Sequence, residues 1–431
     1  MTDLDRKIQS MLRERAEDIQ VLPPGIAGFD RGVETAGSRT SNRSEGPRQA
    51  GWLVAAAVIA VIAVAAAVIA IRANHHAVPP TTHTPTPTAP SVPFSITYSR
   101  AGVELNDISC AAADDCVAVG VDAQAHRVGY SFDGRAWTQA FTVTGGGGVL
   151  VDSCAASGSC MAVDSTGGRW RPTATSPWQQ VTLPDTNRVR SLEFNDISCV
   201  SARSCLAVGT YDTATGSSSP RSPIAYRWNG LNWAQLPSPP VPANRDLVLP
   251  EVSCWAADRC RVTTTDLTSS ALLDWNGTSW STEPLPSSTR FSLLIGLSCT
   301  SLTSCVVVGA VPGRGWGTDV LDGSTWTWQP FASSTTDAQG SVSCTAANAC
   351  VYLTNNTDGT PNVETWNGRT WALGSGAEAL FPNPTSPTAP LPPGRSYGPV
   401  SCVATGQCFF TGYEYGSQGS TGFIESSPRG A

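Results

Sequence analysis

The sequence predicts an all-β ring of seven repeated four-stranded sheets, each with its own disulfide hairpin, standing beyond a single transmembrane helix. Three observations predict it. Seven Cys-x5-Cys units, Cys110/Cys116, Cys154/Cys160, Cys199/Cys205, Cys254/Cys260, Cys299/Cys305, Cys344/Cys350 and Cys402/Cys408, take up all 14 cysteines of the 431-residue chain. Successive first cysteines lie 44, 45, 55, 45, 45 and 58 residues apart, so the chain after about residue 94 is one supersecondary unit repeated, at a period that suits the blades of a seven-bladed β-propeller. Upstream of the repeats, every residue from Gly51 to Ile71 is apolar or glycine.

Residues 1–50 are polar and close to neutral. Leu4, Ile8, Leu12 and Ala16 fall at helical spacing and predict one short amphipathic helix from Asp3 to Ile19, stopped by Pro23 and Pro24. Residues 29–49 lack periodicity and read as a tether. The transmembrane helix is assigned to residues 51–72; at about 1.5 Å per residue it covers roughly 30 Å, the thickness of a bilayer core. Both the polar region before it and the apolar run itself are too long for a signal peptide. Arg39, Arg43 and Arg48 precede the span against Arg72 alone after it, which places the N-terminus in the cytoplasm and the repeats outside the cell membrane. Paired cysteines belong in such an oxidising compartment. Residues 73–93, rich in Pro and Thr, read as an extended stalk.

The propeller is assigned to residues 94–431. In its third copy Asp196-Ile-Ser-Cys199 leads through five loop residues to Cys205-Leu-Ala-Val-Gly209, followed by strand-length pieces from Ile224 to Gly230 and from Leu231 to Pro237. Two residues before each first cysteine stand Ile108, Ile197, Val252, Leu297, Val342 and Val400, with Asp152 the exception; that period of two marks a buried face. The run after each second cysteine is apolar on both faces, Arg261-Val-Thr being the polar outlier, as in a strand covered on both sides. Third and fourth strands meet at Trp-Asn-Gly-x-x-Trp turns, Trp228 to Trp233, Trp275 to Trp280 and Trp366 to Trp371, with looser versions at Phe132 to Trp137 and Leu321 to Trp326. Asn-Gly and Asp-Gly tolerate the positive φ that tight hairpins need. The last copy lacks a fourth strand, and Pro93-Phe-Ser-Ile-Thr-Tyr-Ser99 alternates without a repeat of its own, so residues 94–99 are expected to complete the last blade and close the ring.

The segment Ser131-Phe-Asp133-Gly134-Arg-Ala-Trp137 resembles the Asp-box hairpin, Ser-x-Asp-x-Gly-x-x-Trp, of sialidase-like propellers, one residue shorter; the other copies lack the serine or carry Asn for Asp. In those families the box is a structural turn, so the resemblance implies fold and not catalysis. The layout of the whole chain is similar to that of uncharacterised membrane-anchored propellers of actinobacteria.

Over residues 94–431 there are 18 Arg against 26 Asp and Glu, a net of −8, which gives no footprint for nucleic acid. As disulfides across a five-residue hairpin loop the cysteine pairs each close a short ring worth about 2 kcal/mol. As metal ligands they would need histidine nearby, and His126 alone lies within the repeats, so neither a metal nor another cofactor is expected. Asp114 and Asp115 lack the spacing of a calcium loop. No nucleophile elbow, His-Glu-x-x-His helix or phosphate loop occurs, and Gly145 to Gly148 reads as a link between blades. With strands running from inner to outer, the cysteine hairpins and Asn-Gly turns share one end of the ring. Links that vary in length gather at the other, where binding residues usually sit. The candidates there are Tyr211, Arg221, Arg245, Arg314, Trp316 and Arg395.

The favoured reading is a membrane-anchored binding or scaffolding propeller, without catalysis, engaging cell-envelope glycan or an extracytoplasmic protein. One alternative is a sialidase-like or other carbohydrate-active enzyme. Another is a transmembrane sensor that signals through a cytoplasmic protein bound at residues 3–19. That layout resembles membrane-bound anti-sigma proteins, but no His-x3-Cys-x2-Cys motif precedes the span.

Overall fold

The computed structural model describes residues 95–427, apart from 146–147, 185–189, 213–220, 241–248, 266–269, 284, 286–290, 334–339, 356–360, 374–394 and 417–418. The expected helix from Asp3 to Ile19, the span at 51–72 and the stalk at 73–93 lie outside the described residues. Within them every regular element is a strand, and the strands form seven antiparallel four-stranded sheets.

Six sheets are consecutive in sequence. Their inner strands are Val103–Ala112, Val151–Cys154, Arg190–Ser201, Val252–Ala256, Leu293–Ser301 and Gly340–Ala346, which begin blades 1 to 6. Blade 7 is composite: Arg395–Cys402, Cys408–Gly416 and Gly419–Ser426 are joined by Ser95–Ala101 as outer strand, with Ser95 opposite Ser426 and Ala101 opposite Thr421. Each inner strand neighbours the next, and that of blade 7 neighbours that of blade 1. The result is a closed seven-bladed β-propeller, its seam sealed by the shared sheet.

The second strand of each blade is sandwiched. Val117, Ala118 and Val119 all have 0% exposure, which only coverage of both faces allows. One apolar cluster fills each of the seven interfaces between blades. The Arg261 outlier is accommodated by Asp274, which accepts its Nε and Nη2 at 2.7 and 2.8 Å, and by Trp255 and Trp326, whose ring centroids lie 5.8 and 5.5 Å from its guanidinium carbon. A buried cation is tolerable only when paired in this way.

All seven Cys-x5-Cys pairs are disulfides within a hairpin, one per blade: Cys110–Cys116, Cys154–Cys160, Cys199–Cys205, Cys254–Cys260, Cys299–Cys305, Cys344–Cys350 and Cys402–Cys408. The pairing matches expectation, and the second cysteine of each bridge lies in the core. A bridge across the mouth of a surface loop would leave both sulfurs near solvent, whereas Cys116, Cys160, Cys205, Cys260, Cys305, Cys350 and Cys408 are all buried, at 0–5% exposure. These second cysteines are core residues and not positions open to a ligand. The reason is that each stands at the start of the sandwiched second strand and faces the preceding blade, which covers it. Cys116 and Cys205 pack in the clusters of their blade interfaces, as do Cys160, Cys260, Cys305, Cys350 and Cys408 in theirs. An oxidised cysteine is apolar and small enough to pack there.

The loops are also shorter than five residues in most blades. Cys199 faces Cys205 directly, and a bulge beyond them lets Ser201 pair with Ser204. The same extension occurs in blades 1, 4, 5 and 6. The disulfide therefore braces a strand pair that continues past it. At the neighbouring turns Asn229 Oδ1 accepts the amides of Leu231 and Asn232, each at 2.9 Å, and Gly230 has φ +95°. Asp133, Asn276 and Asn367 form the same side-chain-closed turn. The tryptophans that flank it face one another, Trp228 and Trp233 with centroids 5.7 Å apart.

Serine fastens blade to blade. The residue before every first cysteine is Ser109, Ser153, Ser198, Ser253, Ser298, Ser343 or Ser401. In six junctions its Oγ accepts the backbone N–H of the next blade's first cysteine, from Cys154 to Ser109 at 2.8 Å through to Cys402 to Ser343 at 3.0 Å. The seventh, Cys110 to Ser401 at 3.0 Å, crosses the seam. Seven bonds of one kind thus run round the ring, giving inner-strand amides a partner that their own blade does not offer.

Candidate functional site

The two ends of the ring differ. At the disulfide end the links are short and alike, such as 113–114, 202–203, 257–258, 302–303 and 347–348 between first and second strands and 229–232, 276–279 and 367–370 between third and fourth. At the opposite end they range from 165–166 and 312–314 to 213–220, 236–251 and 374–394. The chain enters blade 7 at Ser95, opposite Ser426, and Cys408 is one residue from the partner of Ser426. Ser95 therefore lies at the disulfide end of the ring.

The described candidates lie at the variable end, on blades 3, 5 and 7. Tyr211 and Arg221 flank one link of blade 3. Tyr211 packs against the cluster between blades 2 and 3, while Arg221 Nη1 donates to Glu193 Oε2 at 2.5 Å and its Nε lies 3.9 Å from Asp212 Oδ1. Arg314 is exposed in a tight turn of blade 5, its N–H donating to the Val311 carbonyl at 3.0 Å. Trp316, two residues on, is half-buried against the cluster between blades 5 and 6. Arg395 begins the inner strand of blade 7 opposite Glu414; its side chain and the whole of Arg245 lie outside the described residues. Tyr211, Arg221 and Trp316 thus have structural roles as well as an end-facing position, and the ring holds these two groups on blades 3 and 5.

A second aromatic group occupies the variable end at the seam. Tyr413 and Tyr415 lie edge to face with centroids 5.1 Å apart, and Tyr415 is 43% exposed. Burial, then the neighbouring Tyr413 and Glu104, push the Tyr415 hydroxyl above its usual range, both neighbours also hydrogen-bonding to it. On the outer strand of the same blade, the exposed Arg100 sits 5.8 Å from the Tyr130 ring centre.

On and beside the inner strands stand acids that sequence reading did not single out as candidates. Asp107, Asp196 and Glu251 each stand three residues before a first cysteine, and Asp152 stands two before. Asp107 Oδ1 accepts the Ile108 N–H at 2.8 Å and its Oδ2 that of Asp152 at 2.9 Å. Asp196 does the same with Ile197 and Val252, both at 2.7 Å. Burial pushes the Asp107 carboxyl up to about 6 against the pull of those two amides. It pushes Asp152, Asp196 and Glu251 well above the usual carboxylate range, with charge from Asp107 adding to each. The signal in the sequence was the recurrence of Asp, Asp and Glu at one repeat position in copies 1, 3 and 4.

Two buried ion pairs join blades 1 and 2, Arg127 to Asp164 at 2.6 Å and Arg171 to Asp115 at 2.5 Å. Arg127 also donates to the carbonyl of Gly145, so the start of that glycine run is tied to its blade.

No known protein family matches the chain, and no curated protein does either. Among solved structures, "YCF48 bound to D1 peptide" is 14% identical, with 78% of this chain and 97% of that one covered at a TM-score of 0.49. YCF48 from Cyanidioschyzon merolae is 11% identical over 78% of this chain and 99% of its own, at a TM-score of 0.48. A six-bladed fucose-recognising lectin of Aleuria aurantia is 11% identical over 79% and 99%, at 0.43. The propeller assignment rests on this chain's own strand order.

Proposed function

We propose that the chain is a membrane-anchored, extracytoplasmic binding propeller whose variable end engages a cell-envelope glycan or protein. The observation that carries this reading is the segregation of link lengths. Seven disulfides and the side-chain-closed turns hold one end uniform, and the links 213–220, 236–251 and 374–394 all leave from the other. A rigid scaffold that varies only at one end is the arrangement in which loops carry recognition. Ser95, where the described chain enters the ring, lies at the disulfide end and not among the long links. The exposed Tyr415 face beside Tyr413 and the Glu104 carboxylate offer stacking and hydrogen-bond acceptors of the kind a sugar uses. Screening the purified chain against cell-wall glycans and envelope peptides tests the proposal. Saturable binding of one ligand class without turnover is expected, and hydrolysis of a glycan abolished by one carboxylate substitution would contradict it.

A further inference from the structure

We propose that the Cys154–Cys160 bridge of blade 2 is a thiol–disulfide exchange site, open to a dithiol reductant at Cys154 and with Cys160 as the sulfur that leaves. The site lies at the disulfide end and does not depend on the loop-end reading. It is set apart by the residue across from it. In five other blades the second cysteine pairs across the sheet with an apolar residue, Phe132, Trp228, Trp275, Leu321 or Trp366; in blade 2 Cys160 pairs with Arg171. The Arg171 Nη2 donates to Cys160 Sγ at 3.0 Å and to Asp115 Oδ1 at 2.5 Å, and its Nη1 reaches the Ala174 carbonyl at 3.3 Å. Its buried Nε has no hydrogen-bond partner among the described residues. A guanidinium at 4% exposure with a donor unspent stabilises negative charge that develops on the sulfur beside it.

Access comes through the other sulfur. Cys154 is half-buried, next to the exposed Ala156 and Ser157 of the hairpin tip, and the strand pairing of blade 2 ends at the bridge. Two other bridges each have half of this arrangement. In blade 5 the Arg261 Nη1 lies 3.2 Å from Cys305 Sγ, but Cys299 is only 8% exposed. In blade 7 Cys402 is half-buried and the pairing again ends at the bridge, but beside Cys408 stands the uncharged Ser427, whose Oγ accepts the Cys408 N–H. Blade 2 combines the open sulfur with the cation.

The step is a displacement at sulfur. A thiolate of the reductant attacks Cys154 Sγ and forms a mixed disulfide, while the Cys154–Cys160 bond breaks and its electron pair leaves on Cys160 Sγ beside Arg171. The reductant's second thiol then displaces Cys154. The reductant ends as a disulfide, and two electrons and two protons pass from it to the two cysteines. A sulfur whose developing charge is stabilised leaves faster. Because Arg171 also holds Asp115 of blade 1, the reaction reaches the junction of blades 1 and 2.

Brief exposure of the folded full-length chain to dithiothreitol at about pH 8, followed by acid quench, alkylation of free thiols and peptide mapping by mass spectrometry, ranks the seven bridges. Cys154 and Cys160 are expected to be labelled first, about tenfold or more ahead of the bridges of blades 5 and 7. Arg171→Met should slow their labelling about tenfold, and Arg171→Lys, which keeps the charge, should retain most of the rate. Should Arg171→Met fail the circular-dichroism check of folding, the ranking in the parent chain is compared with that in denaturant, where all seven bridges should react alike. Another bridge labelled first, all seven labelled together in the folded chain, no labelling while the chain stays folded, or a rate unchanged in Arg171→Met would overturn the proposal.

Discussion

At the scale of single residues, the chain's regular and irregular positions have different consequences. The serine before each first cysteine is regular, and its Oγ takes an amide from the next blade. Ser198→Ala should leave the Cys254 N–H without its partner and destabilise the ring by about 1–2 kcal/mol in chemical denaturation; a change within error would mean that water replaces the hydroxyl. The Ser-Cys dipeptide was visible in all seven copies, but its partner lies a whole repeat away and depends on how blades are rotated, which no local pattern encodes. Asp152 was visible as an exception for the opposite reason, because it breaks the period-two face. Its pH consequence follows from sign. The Asp107, Asp152, Asp196 and Glu251 carboxyls hold protons more tightly folded than unfolded, so their contribution is fully present below about pH 4 and is lost as pH rises through the folded values. For Asp107 that value is about 6, and for the other three it is well raised. The melting temperature should therefore fall between about pH 5 and pH 8. Asp152→Asn should raise it at neutral pH and flatten the slope; a flat profile in the parent chain would contradict this.

At the scale of elements, glycine and disulfide set how each inner strand meets the second. Gly120, Gly209, Gly309 and Gly412 all stand four residues after a second cysteine. A Cβ at any of them would overlap a carbonyl oxygen of the inner strand, that of Glu104, Glu193, Leu293 or Ser396. In the same blades the inner strand changes register beside that contact, between Leu105 and Asp107, Phe194 and Asp196, Leu294 and Gly296, and Tyr397 and Val400. Blades 2, 4 and 6 carry Asp164, Thr264 and Thr354 instead, and their inner strands pair without that shift. Close backbone approach at a bulge is what glycine permits. Gly209→Ala should then cost about 1–3 kcal/mol, measured by thermal unfolding, whereas Thr264→Ala in blade 4 brings no such overlap; equal effects would sink the explanation. Strands and turns were legible because alternation, Asn-Gly and cysteine spacing are local. The continuation of the hairpin past the disulfide was not, since Ser201 and Ser204 pair only through a bulge. Nor was the burial of the second cysteines, which comes from packing against the preceding blade.

For the molecule as a whole, closure and polarity of the ring decide what the candidate residues can do. Ser95–Ala101 completes blade 7, so both ends of the described chain meet in one sheet and the seven interfaces act together. The ring places Tyr211, Arg221, Arg314 and Trp316 at one end, yet on blades 3 and 5, and gives Arg221 and Trp316 partners of their own. Sequence could order the loops by length but not bring side chains together, because convergence across an axis is set by blade rotation. The central claim is that the disulfide end is scaffold and the opposite end recognises. Its most direct test compares ligand binding by three full-length chains: the parent, one with 236–251 and 374–394 replaced by shorter Gly-Ser links, and one with Leu231→Ser and Leu302→Ser at the disulfide end, where those side chains are 80% and 57% exposed. Binding lost in the second chain and kept in the third is the predicted result; binding kept in the second and lost in the third would contradict the account.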